Sequence, residues 1–145
     1  MNTGLEEYIS KYYIPIEENS FHEPPPVFQT SDVCFMDALL NYIDTQFEKD
    51  SVFYSKANIS KQAYYKMRTA GRDYTPTRPL AFACLIALEL NLEESTSLLR
   101  KAGMTFSRSS LMDIIVRYYI ENGEYDLDRI NEVLDGYGQP TLGSR

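Results

Sequence analysis

The stretch FYSKANISKQAYYKM, residues 53–67, decides how this chain is read. Its first half is an apolar helical segment that reaches Ala57. Asn58-Ile59 interrupts it, and Ser60 has the side chain needed to cap a new helix over Lys61–Arg68. Ala57 is small where two helices have to cross. Asn58 stands where the turn wants a left-handed residue, a conformation that asparagine tolerates best after glycine. Ile59 supplies an apolar plug between the two helices.

Working outward, the same helical grammar repeats. Upstream, Met36, Leu39, Leu40, Ile43 and Phe47 recur at helical spacing, with Ser31 or Asp32 available as a cap. A short helix follows from about Asp50 to Ala57. Downstream, the loop TAGRDYTPT carries Gly71 and Pro76 as breakers, and Thr77 caps a helix with Pro79 in its first turn. Leu80, Ala83, Cys84, Ala87 and Leu88 form its apolar stripe. Asn91 and Glu94 have capping-box spacing, with Gly103 closing that helix. Two further helices are predicted from Ser110 to Asn122 and from Asp126 to a stop at Gly136, burying Leu111, Ile114, Ile115 and Tyr118, then Ile130, Val133 and Leu134. No segment alternates with period two. The expectation is all-α: a multi-helix bundle over residues 31–145, preceded by a Pro-rich arm over residues 1–30.

That arm contains a short helix near Gly4–Tyr13, opened by the Thr3/Glu6 pair and broken at Pro15. Pro24-Pro25-Pro26 excludes helix or central strand and favours an extended linker. Tyr8, Tyr12, Tyr13, Phe21 and Phe28 make the arm aromatic enough to dock, either on this chain's own body or on a partner.

The 145 residues carry a net charge of −7, with 43% hydrophobic and 24% charged residues, ordinary values for a globular domain. The charge is unevenly placed. Between Lys49 and Arg108 ten basic residues face five acidic ones, while the rest of the chain has four basic and sixteen acidic. The middle is basic and the ends are acidic. No apolar run approaches the roughly 20 residues that cross a bilayer. With no export signal, Cys34 and Cys84 read as reduced thiols of a cytoplasmic protein.

From about Asp37 to Gly103 the chain resembles the Cro/phage-repressor (XRE-type, lambda-repressor-like) helix-turn-helix family, with the motif itself at about residues 50–68. The Ala-rich PLAFACLIALEL and the Leu-rich NLEESTSLLRKAG extend the likeness beyond the motif. Residues 31–145 as a whole look like a helical module appended to some bacterial macro-domain proteins. The first resemblance implies that the second helix of the motif enters the major groove of DNA. Carried over by position, Lys61, Gln62, Tyr65 and Lys66 would meet bases or nearby phosphates, and Arg68, Arg72 and Arg78 would meet phosphates, with Tyr74 on the same loop. The chain departs from the family pattern at Asp50, where glutamine is usual and a carboxylate would repel a phosphate. It departs again at Tyr54, where alanine is usual.

Enzymatic chemistry is not expected. The single histidine, His22, beside Glu23 in the arm reads as a surface residue, and no nucleophile–base arrangement can be assembled. Glu124, Asp126 and Asp128 lack the glycine and closing glutamate of a calcium loop and read as capping and solvation. Cys34 and Cys84 read as packed thiols. No cofactor or metal is implied. Two functions stay open. One is a DNA-binding regulator, with a twofold dimer spacing its half-sites about one helical turn apart. The other is a repressor-like fold used as a protein-interaction or adaptor module in phage defence or stress response, engaging its partner through residues 1–30 or the C-terminal helices. The basic cluster suits the first function; as a solvated face balancing acidic ends, it suits the second.

Overall fold

Helix-start chemistry recurs at nearly every segment boundary, and a computed structural model, describing residues 3–14 and 33–144, shows what it builds. Eight helices are present among the described residues, with no strand: α1 (Thr3–Tyr12), α2 (Phe35–Gln46), α3 (Asp50–Lys56), α4 (Lys61–Ala70), α5 (Arg78–Ala87), α6 (Leu92–Lys101), α7 (Leu111–Glu121) and α8 (Leu127–Gly136). A single 3₁₀ turn, Gly71–Asp73, follows α4. None of these helices is long and apolar enough to cross a membrane.

Most caps form as the spacing requires. Ser60 Oγ accepts from the Ala63 amide at 3.1 Å and Thr77 Oγ1 from the Leu80 amide at 3.4 Å. At α6 the box is reciprocal: the Glu94 amide donates to Asn91 Oδ1 at 2.8 Å, and the Asn91 amide donates to Glu94 Oε1 at 3.1 Å. Asp126 Oδ1 accepts from the Arg129 amide at 3.1 Å. One start differs. α2 begins at Phe35 and is capped by Cys34, whose Sγ accepts from the Asp37 amide; the expected caps Ser31 and Asp32 lie outside the described residues.

The core is built around α5. Every residue from Leu80 to Leu88 is buried, so this helix is enclosed on all sides and not merely along the expected stripe. α2 packs on α3 and α6, α7 on α6 and α8, and α8 on α5. Two faces are rotated from expectation. On α7 Tyr119 is buried and Tyr118 half-buried, and on α8 Val133 is only half-buried beside the enclosed Ile130 and Leu134. Gly136 stays inside the last turn of α8; the left-handed residue that ends it is Gly138, with φ of 71°. Leu88 and Ile115 lie in the core at 2% and 0% exposure. Leu88→Ala and Ile115→Ala should each cost roughly 2–5 kcal/mol in urea denaturation, and a loss under about 1 kcal/mol would contradict this packing.

The question of where the N-terminal helix docks has an answer in the chain's own body. Leu5 is fully buried, and α1 lies on α7. The Tyr8 ring meets Tyr118 edge-on at 5.3 Å, and its hydroxyl donates to Glu121 Oε2 at 3.0 Å. The Ile14 amide donates to the Arg108 carbonyl at 2.8 Å, and Arg108 Nε donates to the Tyr12 carbonyl at 3.1 Å. The Pro24–Pro26 run, with Phe21, His22 and Phe28, lies outside the described residues.

Candidate functional site

α3 and α4 are joined by Ala57, Asn58, Ile59 and Ser60. Ala57 and Ile59 are fully buried, and Asn58 has φ of 57°, the left-handed conformation that its residue type allows. The inner sides of the two helices form an aromatic seam. Phe53 and Tyr64 are buried at 6.1 Å between ring centres, and Tyr54 lies 5.2 Å from Tyr64. Tyr54 thus fills the crossing with a ring where a repressor-like pair would carry a methyl group. Burial, reinforced by the Asp50 carboxylate, pushes the Tyr64 hydroxyl well above its usual range.

With Tyr64 and Met67 turned inward, the opposite side of α4 faces solvent. Lys61, Gln62, Tyr65, Lys66 and Arg68 are all exposed, and at 100° per residue they fall within an arc of about 160°. Lys61 and Lys66 make no ion pair among the described residues. Tyr65 is 45% exposed and stands edge-on to Tyr54 and Tyr64. Arg68 forms a salt bridge with Asp50, and Arg72 lies 3.6 Å from Asp37. The Arg72–Asp37 pair is exposed, whereas Asp50 in the other pair is half-buried. An exposed ion pair such as Arg72–Asp37 is worth under about 1 kcal/mol. Asp50 is therefore not a bare charge at the start of α3; Arg68 neutralises it.

Two members of the expected set are placed elsewhere. Arg78 donates through Nη1 to Asp113 Oδ2 at 2.7 Å and to the Thr105 carbonyl at 2.9 Å, with its guanidinium over the Phe82 ring. Asp113 is fully buried, so Arg78 is held as its counter-charge and leaves the set of cations available to phosphates. Tyr74 is half-buried, with its ring tilted on Phe35 at 6.5 Å, and burial pushes its hydroxyl up to about 12. It is a packing residue.

The Asp113 network was missed in the sequence. The carboxylate also accepts from the Ser107 amide at 2.7 Å and from Ser110 Oγ at 2.8 Å, while its own amide donates back to Ser110 Oγ. Ser110-x-x-Asp113 has capping spacing, which was a legible signal for the local half of this network. Nothing local pointed to Arg78. Among the described residues no cluster of three or more His, Cys, Asp or Glu side chains is arranged to hold a metal ion. Burial pushes the Cys84 thiol up to about 12, as befits an enclosed core residue.

Replacing Lys61 or Lys66 singly with alanine should change stability by no more than about 0.5 kcal/mol, because both side chains are in water. A thermal melt of each variant checks this. Compared with models of protein families, with curated proteins and with solved structures, the chain matches none.

Proposed function

We propose that α3 and α4 act as a repressor-like helix-turn-helix and that the chain is a non-enzymatic regulator that binds duplex DNA through the outer face of α4. The observation that carries this reading is the single solvent-facing arc holding Lys61, Gln62, Tyr65 and Lys66 at the capped start of α4. Such a face has two cations for phosphates or guanine, an amide able to pair bidentately with adenine, and a ring able to reach a sugar or backbone. Arg68 and Arg72 extend it, each sharing its guanidinium between a phosphate and the carboxylate it already meets. The overall charge of −7 is no obstacle, because the acids are concentrated outside the basic middle of the chain.

The alternative is a protein-interaction module working through residues 1–30 or the C-terminal helices, and the first of these surfaces is less well supported. Residues 3–14 are already engaged with α7 and Arg108, which leaves less of the arm for a partner. The deciding experiment is a fluorescence-anisotropy titration with random-sequence duplex DNA at rising salt, comparing the wild type with a Lys61→Glu/Lys66→Glu variant. Salt-sensitive binding that the variant loses supports the reading. No wild-type binding even near ~50 mM salt would reject it, because counterion release makes binding strongest there.

A further inference from the structure

The polar-looking tail that follows α8 turns back into the body of the protein. Leu142 is fully buried in the main core. Its backbone is held at both ends by one side chain: the Leu142 amide donates to Asn131 Oδ1 at 2.7 Å, and Asn131 Nδ2 donates to the Leu142 carbonyl at 3.3 Å. Asn58, the left-handed residue between α3 and α4, donates through Nδ2 to that same carbonyl at 3.1 Å. The chain then runs along the turn. The Gly143 amide donates to the Pro79 carbonyl at 3.2 Å and the Ser144 amide to the Asn58 carbonyl at 2.9 Å. Finally, the Ser60 amide donates to Ser144 Oγ at 2.9 Å. Gly143 is required here twice over. Its φ is 108°, and a Cβ at this position would sit 2.5 Å from the Asn58 carbonyl oxygen.

These contacts gather α8, the start of α5 and the α3–α4 turn onto three consecutive residues. Ser60 is the residue whose side chain caps α4, and its own amide is satisfied by Ser144. Asn58 is occupied on both its side chain and its carbonyl. The direction in which α4 leaves the turn is thus set by the tail as well as by the aromatic seam beneath it. We propose that Leu142–Gly143–Ser144 is a clip that positions the start of α4, and so the face carrying Lys61, Gln62, Tyr65 and Lys66. Ser144 is a positioning residue that carries no charge to the face. The consequence for DNA binding rests on the reading of α4 given above, whereas the clip is testable without DNA.

The test is amide hydrogen exchange by NMR on the full chain in three variants. Ser144→Ala removes the acceptor for the Ser60 amide, Ser144→Thr keeps it, and Gly143→Ala forces the tail off the turn. In Ser144→Ala the Ser60 amide should exchange about tenfold faster, as expected for the loss of one hydrogen bond, with α7 unchanged as the internal standard. Ser144→Thr should restore the wild-type rate, and a folded Gly143→Ala should extend the loosening to Asn58 and the first turn of α4. Unchanged exchange at Ser60 in Ser144→Ala overturns the clip, whether or not Gly143→Ala folds. In a parallel DNA titration, Ser144→Ala should bind several-fold more weakly with an unaltered salt slope, since no phosphate contact is lost. Wild-type protein that fails to bind DNA rejects the reading of α4, and the exchange rates then decide the clip by themselves.

Discussion

Replacing Asp113 with alanine should cost about 3–5 kcal/mol of folding stability, as much as truncating a core residue. The carboxylate is fully buried and is met by three donors besides the capping contact: Arg78 at 2.7 Å, the Ser107 amide at 2.7 Å and the Ser110 hydroxyl at 2.8 Å. Alanine would leave the Ser107 amide without its acceptor and would leave the partly buried Arg78 guanidinium with the Thr105 carbonyl but without its counter-charge, and an unmade bond costs its full desolvation. Against a typical total of about 5–15 kcal/mol, such a loss approaches unfolding. Urea denaturation measures it, and the double variant Arg78→Met/Asp113→Ala should recover part of the loss because no orphaned charge remains. A cost for Asp113→Ala below about 1 kcal/mol would mean that the pair is solvated and contributes as little as a surface bridge.

The same residue has a pH signature. Burial raises the Asp113 carboxyl above its unfolded value of 3.8, opposed by the Ser107 amide, Arg78 and Ser110. A carboxyl raised in the folded state binds its proton more tightly there than in the unfolded chain. Its contribution is therefore fully present below the unfolded value and is lost as pH rises through the folded one. Relative to Asp113→Asn, which cannot titrate at this site, the wild type should gain stability on acidification through that window. Parallel denaturation of the two proteins from neutral pH into the acid range measures the difference. The opposite trend would mean that Arg78 outweighs burial.

The second large effect is on binding. If Lys61, Lys66, Arg68 and Arg72 each neutralise one phosphate, the wild-type affinity for duplex DNA should fall roughly a hundredfold between about 50 and 200 mM salt. Lys61→Glu/Lys66→Glu removes two of those contacts and adds two repulsions, one towards each edge of the face. It should bind at least about a hundredfold more weakly at the low-salt end, with a salt slope no more than about half the wild-type value. Its fold should survive, since neither lysine is in an ion pair among the described residues and both are exposed. Circular dichroism before the titration establishes that the lost binding is not lost structure. Equal affinity of the two proteins would place any DNA contact away from α4.

The short-range features of this structure were legible in the residues that form them. Ser60, Thr77, Asn91, Ser110 and Asp126 each cap a helix by reaching an amide three residues on, and an interaction of that range is fully contained in the sequence window that encodes it. Asn58 adopts its left-handed turn for the same reason, since its side chain and its place between two helices are both local. The absence of period-two alternation likewise agrees with the all-helical character of the described residues, and the periodic apolar residues marked most of the core.

Tertiary structure decided what depends on distant partners. Arg78, just past the loop that carries Arg72 and Tyr74, is identical in kind to Arg72, yet it is drawn to a carboxylate 35 positions away, and Tyr74 is turned onto Phe35. Cys34 caps α2 because the helix starts later than the strongest capping residues would place it. The residues after α8 are mostly polar, yet Leu142 is in the core, and its carbonyl accepts from Asn58 across 84 positions. An ion pair or a buried tail gains its free energy from the environment that the whole chain assembles, and that environment is not written in the residues beside it.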